Sequence, residues 1–254
     1  ITVRATDIAC NTTTQTVNFS KEPPYTPKYA GEFFYMPFDG DFTELINIYS
    51  ADETGSPGFA GDAVLGTGAY AGNTDSYITV PLDQENLGNE FSAAFWYKVT
   101  GDPDRAGILV AGANENREQG FRLFREGTAT SQRIKLNVGT GSGESWNDGG
   151  ALDVEVGEWV HIAFTVTPEG TTIYFNGNPV NSGDMANPID WTGVDEITIG
   201  AGGETFSYWG HLSDNSFIDE LRLFNIALSA EDIPNRINAS SVTLHMPFEG
   251  NYKD

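Results

Sequence analysis

The chain is 254 residues long, 39% hydrophobic and 12% aromatic, which suffices for one substantial core and rules out wholesale disorder. Its 36 acidic residues against 13 basic ones give a formal net charge of −23, so no nucleic-acid partner and no anionic membrane surface is expected; both need clustered cations. One cysteine, Cys10, excludes an intrachain disulfide, and no stretch approaches the ~18 apolar residues of a membrane-spanning helix.

Residues 1–20 read as two short strands around a turn, Ile1 to Asp7 and Thr14 to Phe19, with Ile1, Val3, Val17 and Phe19 alternating with polar residues. Residues 21–31, with Pro23, Pro24 and Pro27, read as an extended connector. The main domain, residues 32–237, opens with Phe33-Phe34-Tyr35-Met36-Pro37-Phe38-Asp39-Gly40. Strands follow near residues 62–66, 76–80, 106–111, 120–125, 132–138, 171–175 and 195–200. The strongest alternation is Phe91, Ala93, Phe95, Tyr97, Val99 and then Val160, Ile162, Phe164, Val166. Turns come from Gly101-Asp102-Pro103, Gly139-Thr140-Gly141-Ser142-Gly143 and Asn176-Gly177, and Ser229 can cap a short helical turn. Many short strands with turns between them predict an antiparallel sandwich. Met36-Pro37-Phe38-Asp39-Gly40 recurs as Met246-Pro247-Phe248-Glu249-Gly250, 210 residues later, so residues 238–254 are expected to begin a following repeat.

Gly157-Glu158-Trp159-Val160-His161-Ile162-Ala163-Phe164, then Thr171 to Gly177, Phe217 to Asn225 and Ala227 to Ile233, resemble in that order the laminin-G-like, pentraxin-like branch of the concanavalin A-like fold. The resemblance spans roughly residues 33 to 236 and includes Phe91 to Tyr97. It implies an all-β, concanavalin A-like jelly-roll β-sandwich of two antiparallel sheets, with first and last strands often neighbours. Residues 4–12 resemble the closing hairpin of a bacterial immunoglobulin-like repeat, although Cys10 stands where those repeats usually place glycine; the hairpin could equally dock on the main domain. Together these imply a non-catalytic, carbohydrate-binding module of a secreted or cell-surface bacterial multidomain protein. Its expected partners are a glycan or cell-surface ligand and neighbouring domains of the same chain. A structural spacer or adhesin repeat is the alternative, and a glycoside hydrolase the distant one.

Three loop tryptophans are the candidate stacking platforms: Trp146, Trp191 and Trp209, each beside Asn, Asp, Glu or Gly. A sugar ring's apolar face stacks on indole while its hydroxyls seek amides and carboxylates; the competing reading is that they cover sheet edges. Trp96 and Trp159 match the family framework and are expected in the core. Asp219 is in phase with Phe217, Leu221 and Leu223, and Asp39 with Phe33 and Tyr35. A carboxylate on an apolar face needs a partner. The resemblance implies that a structural calcium between first and last strands is that partner, held by Asp39, Asp219 and a carbonyl of the Gly61 turn; pairing of Asp219 with an arginine or backbone amides is the other reading. No catalytic site is expected. The laminarinase-type hydrolases on this fold carry two glutamates and an aspartate alternating on one strand, whereas Asp153-Val154-Glu155-Val156-Gly157-Glu158 has another order and a glycine break. His161, His211 and His245 are too scattered for zinc, and His161 is expected to be structural.

Overall fold

The computed structural model describes residues 2–6, 12–16, 24–100, 103–128, 131–152, 156–207 and 209–233. Nineteen strands follow one another among these residues: β1 (Thr2–Thr6), β2 (Thr12–Thr16), β3 (Glu32–Met36), β4 (Thr43–Glu44), β5 (Tyr49–Ser50), β6 (Asp52–Thr54), β7 (Gly58–Ala60), β8 (Ala69–Ala71), β9 (Tyr77–Pro81) and β10 (Phe91–Lys98). Then come β11 (Arg105–Ala111), β12 (Phe121–Thr128), β13 (Ser131–Gly139), β14 (Glu144–Leu152), β15 (Trp159–Val166), β16 (Gly170–Phe175), β17 (Asn178–Asp184), β18 (Glu196–Ile199) and β19 (Phe217–Phe224). One sheet runs β17-β16-β15-β10-β19-β8-β7, with β3 also paired to β19; the other runs β14-β13-β12-β11-β18-β9-β6. All named strand pairs are antiparallel. This is the expected sandwich, with β3 and β19 adjacent as the resemblance implied. β1 and β2 pair as a separate hairpin, Thr2 opposite Thr16. Cys10 and the repeat expected at residues 238–254 lie outside the described residues.

Period two decides what is buried. Phe91, Ala93, Phe95 and Tyr97 of β10 and Val160, Ile162, Phe164 and Val166 of β15 enter one core, where Leu123, Leu136, Val138, Ile197 and Ile199 of the opposite sheet meet them. Each fully buried side chain of this size contributes about 1.5–3 kcal/mol, so the core is the dominant stabilising term. Asn176 and Gly177, both with positive φ (48° and 79°), make the tight β16–β17 turn.

Three expectations fail for physical reasons. Residues 62–66 form a loop rather than a strand, because the backbone amides of Val64 and Leu65 point at Asp219 Oδ2 (2.7 and 3.1 Å) instead of at a neighbouring strand. β14 and β17 were unreadable as strands. Gly149 in β14 has φ +71° and leaves no room for a side chain, since a Cβ there would lie 1.5 Å from Ile134 O. β17 is a polar edge strand whose Pro179 is tolerated because one side has no ladder to complete. Trp96 and Trp159, expected in the core, are half-buried on the outer face of the β10–β15 sheet, in register with His161 and Lys98.

The two sheets are bridged by a buried ion pair. Arg125 of β12 points inward, and its guanidinium meets Asp214 Oδ1 (Nη2 at 3.0 Å, Nε at 3.2 Å), with both groups almost wholly excluded from water. Tyr97 of β10, on the opposite sheet, donates its hydroxyl to Asp214 Oδ2 (2.6 Å), and the Ser216 amide donates to Oδ1 (3.0 Å). Asp214→Ala should cost about 3–5 kcal/mol, because it leaves Arg125 charged, buried and unmatched. A denaturant titration checks this, and a loss below about 1 kcal/mol, the level of an exposed pair, contradicts it.

Candidate functional site

The outer face of the β14–β6 sheet carries one unbroken cross-strand row: Asp52, Thr79, Thr198, Val110, Arg122, Asn137 and Trp146, one from each strand. Trp146 therefore stands at the edge of this row. The loop after β18 folds back over the same face and brings Phe206, Trp209 and His211 to it. Asp214 anchors that loop, its amide donating to Gly200 O (2.7 Å).

Trp146 and Trp209 stack on each other, with ring centroids 5.2 Å apart at 27°. Beneath them lie Val110, Phe124 and Phe206, a small buried cluster of its own. The Arg117 guanidinium lies 4.6 Å from the Trp209 ring centroid. Arg117 is itself held by Glu144, Nε to Oε2 at 2.9 Å, and Asn137 Nδ2 donates to the same oxygen at 2.9 Å. Arg122 lies buried under the β11–β12 loop and donates to the carbonyls of Gln119 (2.8 Å) and Asn114 (2.9 Å). Burial, then Arg117, lowers its pKa to about 10. Glu126 gathers Lys135 (2.9 Å), Arg105 (3.5 Å) and His211 (3.4 Å). A cleft of about 430 Å3 adjoins this group, reached past Ser207 and His211.

Two of the three candidate tryptophans thus come together, and the third does not. Trp191 is only 8% exposed: its ring packs on Phe91 (5.2 Å) and Phe121 (6.1 Å), and its Nε1 donates to Gly88 O (2.8 Å). It is a core residue with no free face for a sugar. Sequence reasoning missed Arg117, Glu144 and His211. The nearest signal was Trp209-Gly210-His211, which places an imidazole two residues from an indole.

Asp219 is buried, but not by the phase expected. Glu220 adopts a positive φ of 56° and bulges β19, so that Trp96 faces Asp219 while Ala94 faces Arg222. Asp219 consequently shares the outer face with Trp96, and Ile218 takes its place in the core. Arg222 does not pair with it; Arg222 pairs with Glu32 and with Glu220 (2.9 Å). Asp219 Oδ2 accepts the Val64 and Leu65 amides, whereas Oδ1 has no partner, and burial pushes the carboxyl up to about 7 against the pull of those amides. Asp39 is exposed and caps the same loop, its Oδ1 accepting from Thr67 N and from Gly68 N (3.2 Å). Gly61 lies exposed at the start of that loop. Among the described residues no group of three or more His, Cys, Asp or Glu side chains converges. Asp39 and Asp219 both accept amides of the 64–68 segment, and Asp219 Oδ1 is the one of these carboxylate oxygens that is buried without a partner.

A laminin G family model, described as concanavalin A-like lectin/glucanases superfamily, matches residues 72–234. No curated protein matches the sequence. Among solved structures, domain 4 of AbnA, a GH43 extracellular arabinanase from Geobacillus stearothermophilus seen in complex with arabinotriose, superposes with a TM-score of 0.61 at 18% identity over 81% of this chain and 98% of that one. The receptor binding domain of botulinum neurotoxin C/D mosaic serotype gives 0.63 at 13% identity over 82% of this chain and 51% of that one. The binding domain of botulinum neurotoxin DC in complex with SialylT gives 0.61 at 13% over 84% and 52%. This chain thus spans about half of each toxin domain. At such identities the likeness is one of fold.

His161 supplies a test of the packing. It is 3% exposed, edge-on to Trp96 (5.3 Å, 79°), its Nδ1 has no partner, and burial lowers its pKa to about 4. The unfolded chain takes up this proton near pH 6.5 and the folded chain only near 4, so stability present above about pH 6.5 is lost as pH falls towards 4. The loss reaches about 3 kcal/mol at most. Asp219 acts in the opposite sense, holding its proton up to about pH 7 when folded, so its contribution is lost as pH rises. His161→Phe should therefore raise the melting temperature at pH 5 relative to that at pH 7, by comparison with the parent chain. Calorimetry across that range checks it; an unchanged slope rejects the assignment.

Proposed function

Because the chain belongs to the laminin G family of the concanavalin A-like lectin/glucanases superfamily, we propose that it is a non-catalytic, glycan-binding module acting outside the cell. The observation that carries this reading is the Trp146–Trp209 pair, half-buried on an outer sheet face and edged by Arg117 and Glu144. Aromatic rings offer an apolar surface to a sugar ring, and amides, carboxylates and guanidinium offer partners to its hydroxyls. Support comes from the arabinanase domain seen in complex with arabinotriose, matched over 98% of its length, and from the toxin binding domain seen in complex with SialylT, matched over 52%. The non-catalytic part of the reading rests on how the nearby acids are used. Glu144 holds Arg117, Glu126 holds Lys135 and Arg105, and Glu115 accepts from Ser207 N (2.8 Å) and Oγ (2.6 Å). A glycosidase needs one carboxyl free to give a proton and another free to attack or to activate water, and beside the indole pair these three are engaged; the free Asp75 and Glu204 line the adjoining cleft rather than the indole face.

Calcium belongs to the same proposal as a structural ion. Asp219 through its free Oδ1, Asp39 through the oxygen not engaged by Thr67 and Gly68, and the Gly61 carbonyl would hold it, and it would supply a fixed positive charge that keeps Asp219 ionised.

Trp146→Ala and Trp209→Ala should each weaken oligosaccharide binding by about 1 kcal/mol, roughly fivefold, as read by titration of hits from a glycan array. Trp159→Phe, on the opposite sheet, should leave binding unchanged. Equal binding by all three variants and the parent would refute the assignment of the face. For the ion, melting with and without chelator should differ by several degrees, and Asp219→Asn should abolish the difference. The absence of any chelator effect removes calcium from the proposal.

A further inference from the structure

A groove runs along the loop that carries Trp209, with Ser207 and His211, two residues to either side of that indole, in its lining. The wider part, about 430 Å3, is lined by Asp75, Tyr77, Glu204, Ser207, His211 and Ser213, among others. A narrower part, about 160 Å3, shares Asp75, Leu212 and Ser213 and adds Asn215. No lysine or arginine is among the described residues lining either part.

The exposed cations beside the β14–β6 sheet face all have partners. Arg117 has Glu144, Arg105 and Lys135 have Glu126, and Arg133 donates to the carbonyls of Asp148 (3.2 Å) and Gly149 (3.1 Å). Asp75 and Glu204 have no such match, for neither carboxylate takes part in a hydrogen bond or ion pair among the described residues. Further negative charge lies behind them: the Glu196 carboxyl is pushed up by burial and then by Asp195, Glu204 and Asp52. The unbalanced field at the mouth of this groove is therefore negative, and it repels an anionic ligand.

Acids alone would be only a solvated surface. The independent observation is His211, which is 2% exposed, held against Phe124 (4.5 Å) and Phe206 (4.4 Å), and without a hydrogen bond at either ring nitrogen. Its Nε2 lies 3.4 Å from Glu126 Oε1, Nδ1 has no partner, and the residue lines the wider part of the groove. Asn215 Oδ1 is buried without a partner as well. Protein polar atoms buried without partners are rare; His211 lines the wider part and Asn215 the narrower part, which meet at Asp75.

We propose that this groove sets the specificity of the glycan site for an amine-bearing saccharide, with its ammonium between Asp75 and Glu204, its hydroxyls on His211, Ser207 and Asn215, and a neighbouring ring on the Trp146–Trp209 pair. The inference rests on the glycan reading above and adds the ligand's charge to it. Calorimetric titration of the chain with a β-1,4-linked glucosamine tetramer, its N-acetylated counterpart and a galacturonate tetramer tests it. The amine-bearing tetramer should bind tightest, about tenfold over the acetylated one, a ratio equal to one charge-assisted contact of about 1.4 kcal/mol. The double variant Asp75→Asn/Glu204→Gln should erase that preference. A control, Glu85→Gln/Glu169→Gln, removes the same charge from two exposed sites elsewhere and should keep it. Equal binding of the amine and its acetylated form, a preference for galacturonate, or an equal loss in the control overturns the inference. Loss of all binding in Trp146→Ala in that same experiment would leave the glycan reading standing. If none of the three saccharides binds, the glycan reading fails, and this inference with it.

Discussion

The buried pair Arg125–Asp214 fixes more of this molecule than its size suggests. Arg125 belongs to one sheet, Tyr97 to the other, and Asp214 to the loop between β18 and β19, so a single carboxylate joins three parts of the chain. Such a pair is a weak source of net stability, since removing two charges from water costs several kcal/mol each. Its effect is geometric. An ion pair that is tolerated only when every oxygen and nitrogen is engaged permits one position of the loop. That position delivers Phe206, Trp209 and His211 to the outer sheet face, where the indole pair forms.

The same loop explains why the stacked indole pair forms on one face only. On the β10–β15 sheet the outer surface is largely covered by Tyr29, Phe224, Leu228 and Ile233, which form a second small cluster with Ala94, Ala163 and Tyr174. Among the described residues the opposite sheet carries no such cluster over Trp146. Trp146 and Trp209 remain half-exposed and are edged by Arg117 and Glu144. Arg117 adopts a positive φ of 63°, which is uncommon for a residue with a Cβ and keeps its side chain turned onto Trp209.

The sequence showed the fold wherever one face is apolar and the other is not. β10, β15 and β19 alternate so regularly that the two-sheet arrangement was legible from them, as was the pairing of first and last strands from the resemblance. Legibility ended where local composition and spatial position part. Trp191 lies in an Asp-rich segment that reads as a surface loop, yet that segment plugs the open end of the sandwich beside Phe91. Trp96 and Trp159 match the family framework, yet their register puts them on the outer face. The bulge at Glu220 is invisible to a period-two argument, which assumes that no residue is inserted; Asp219 was identified as anomalous for a reason the backbone does not obey. The groove acids Asp75 and Glu204 come from segments 129 residues apart, too far for spacing to reveal.

The antiparallel register of β3 and β19 has a mechanical consequence. Glu32, where β3 begins, is opposite Phe224, where β19 ends, so the segments before and after the sandwich strands flank the same end of one strand pair, the later one still packed through Leu228 and Ile233. Tension applied through the two flanks would peel this pair apart one rung at a time rather than slide it, the geometry in which a ladder resists least. The rung under first load is the one reinforced by Arg222, whose guanidinium binds Glu32 and the Tyr25 hydroxyl (2.7 Å) and lies 3.6 Å from the Tyr35 ring centroid. A latch at the tip of a zipper lets a domain of modest overall strength hold its shape until that latch yields.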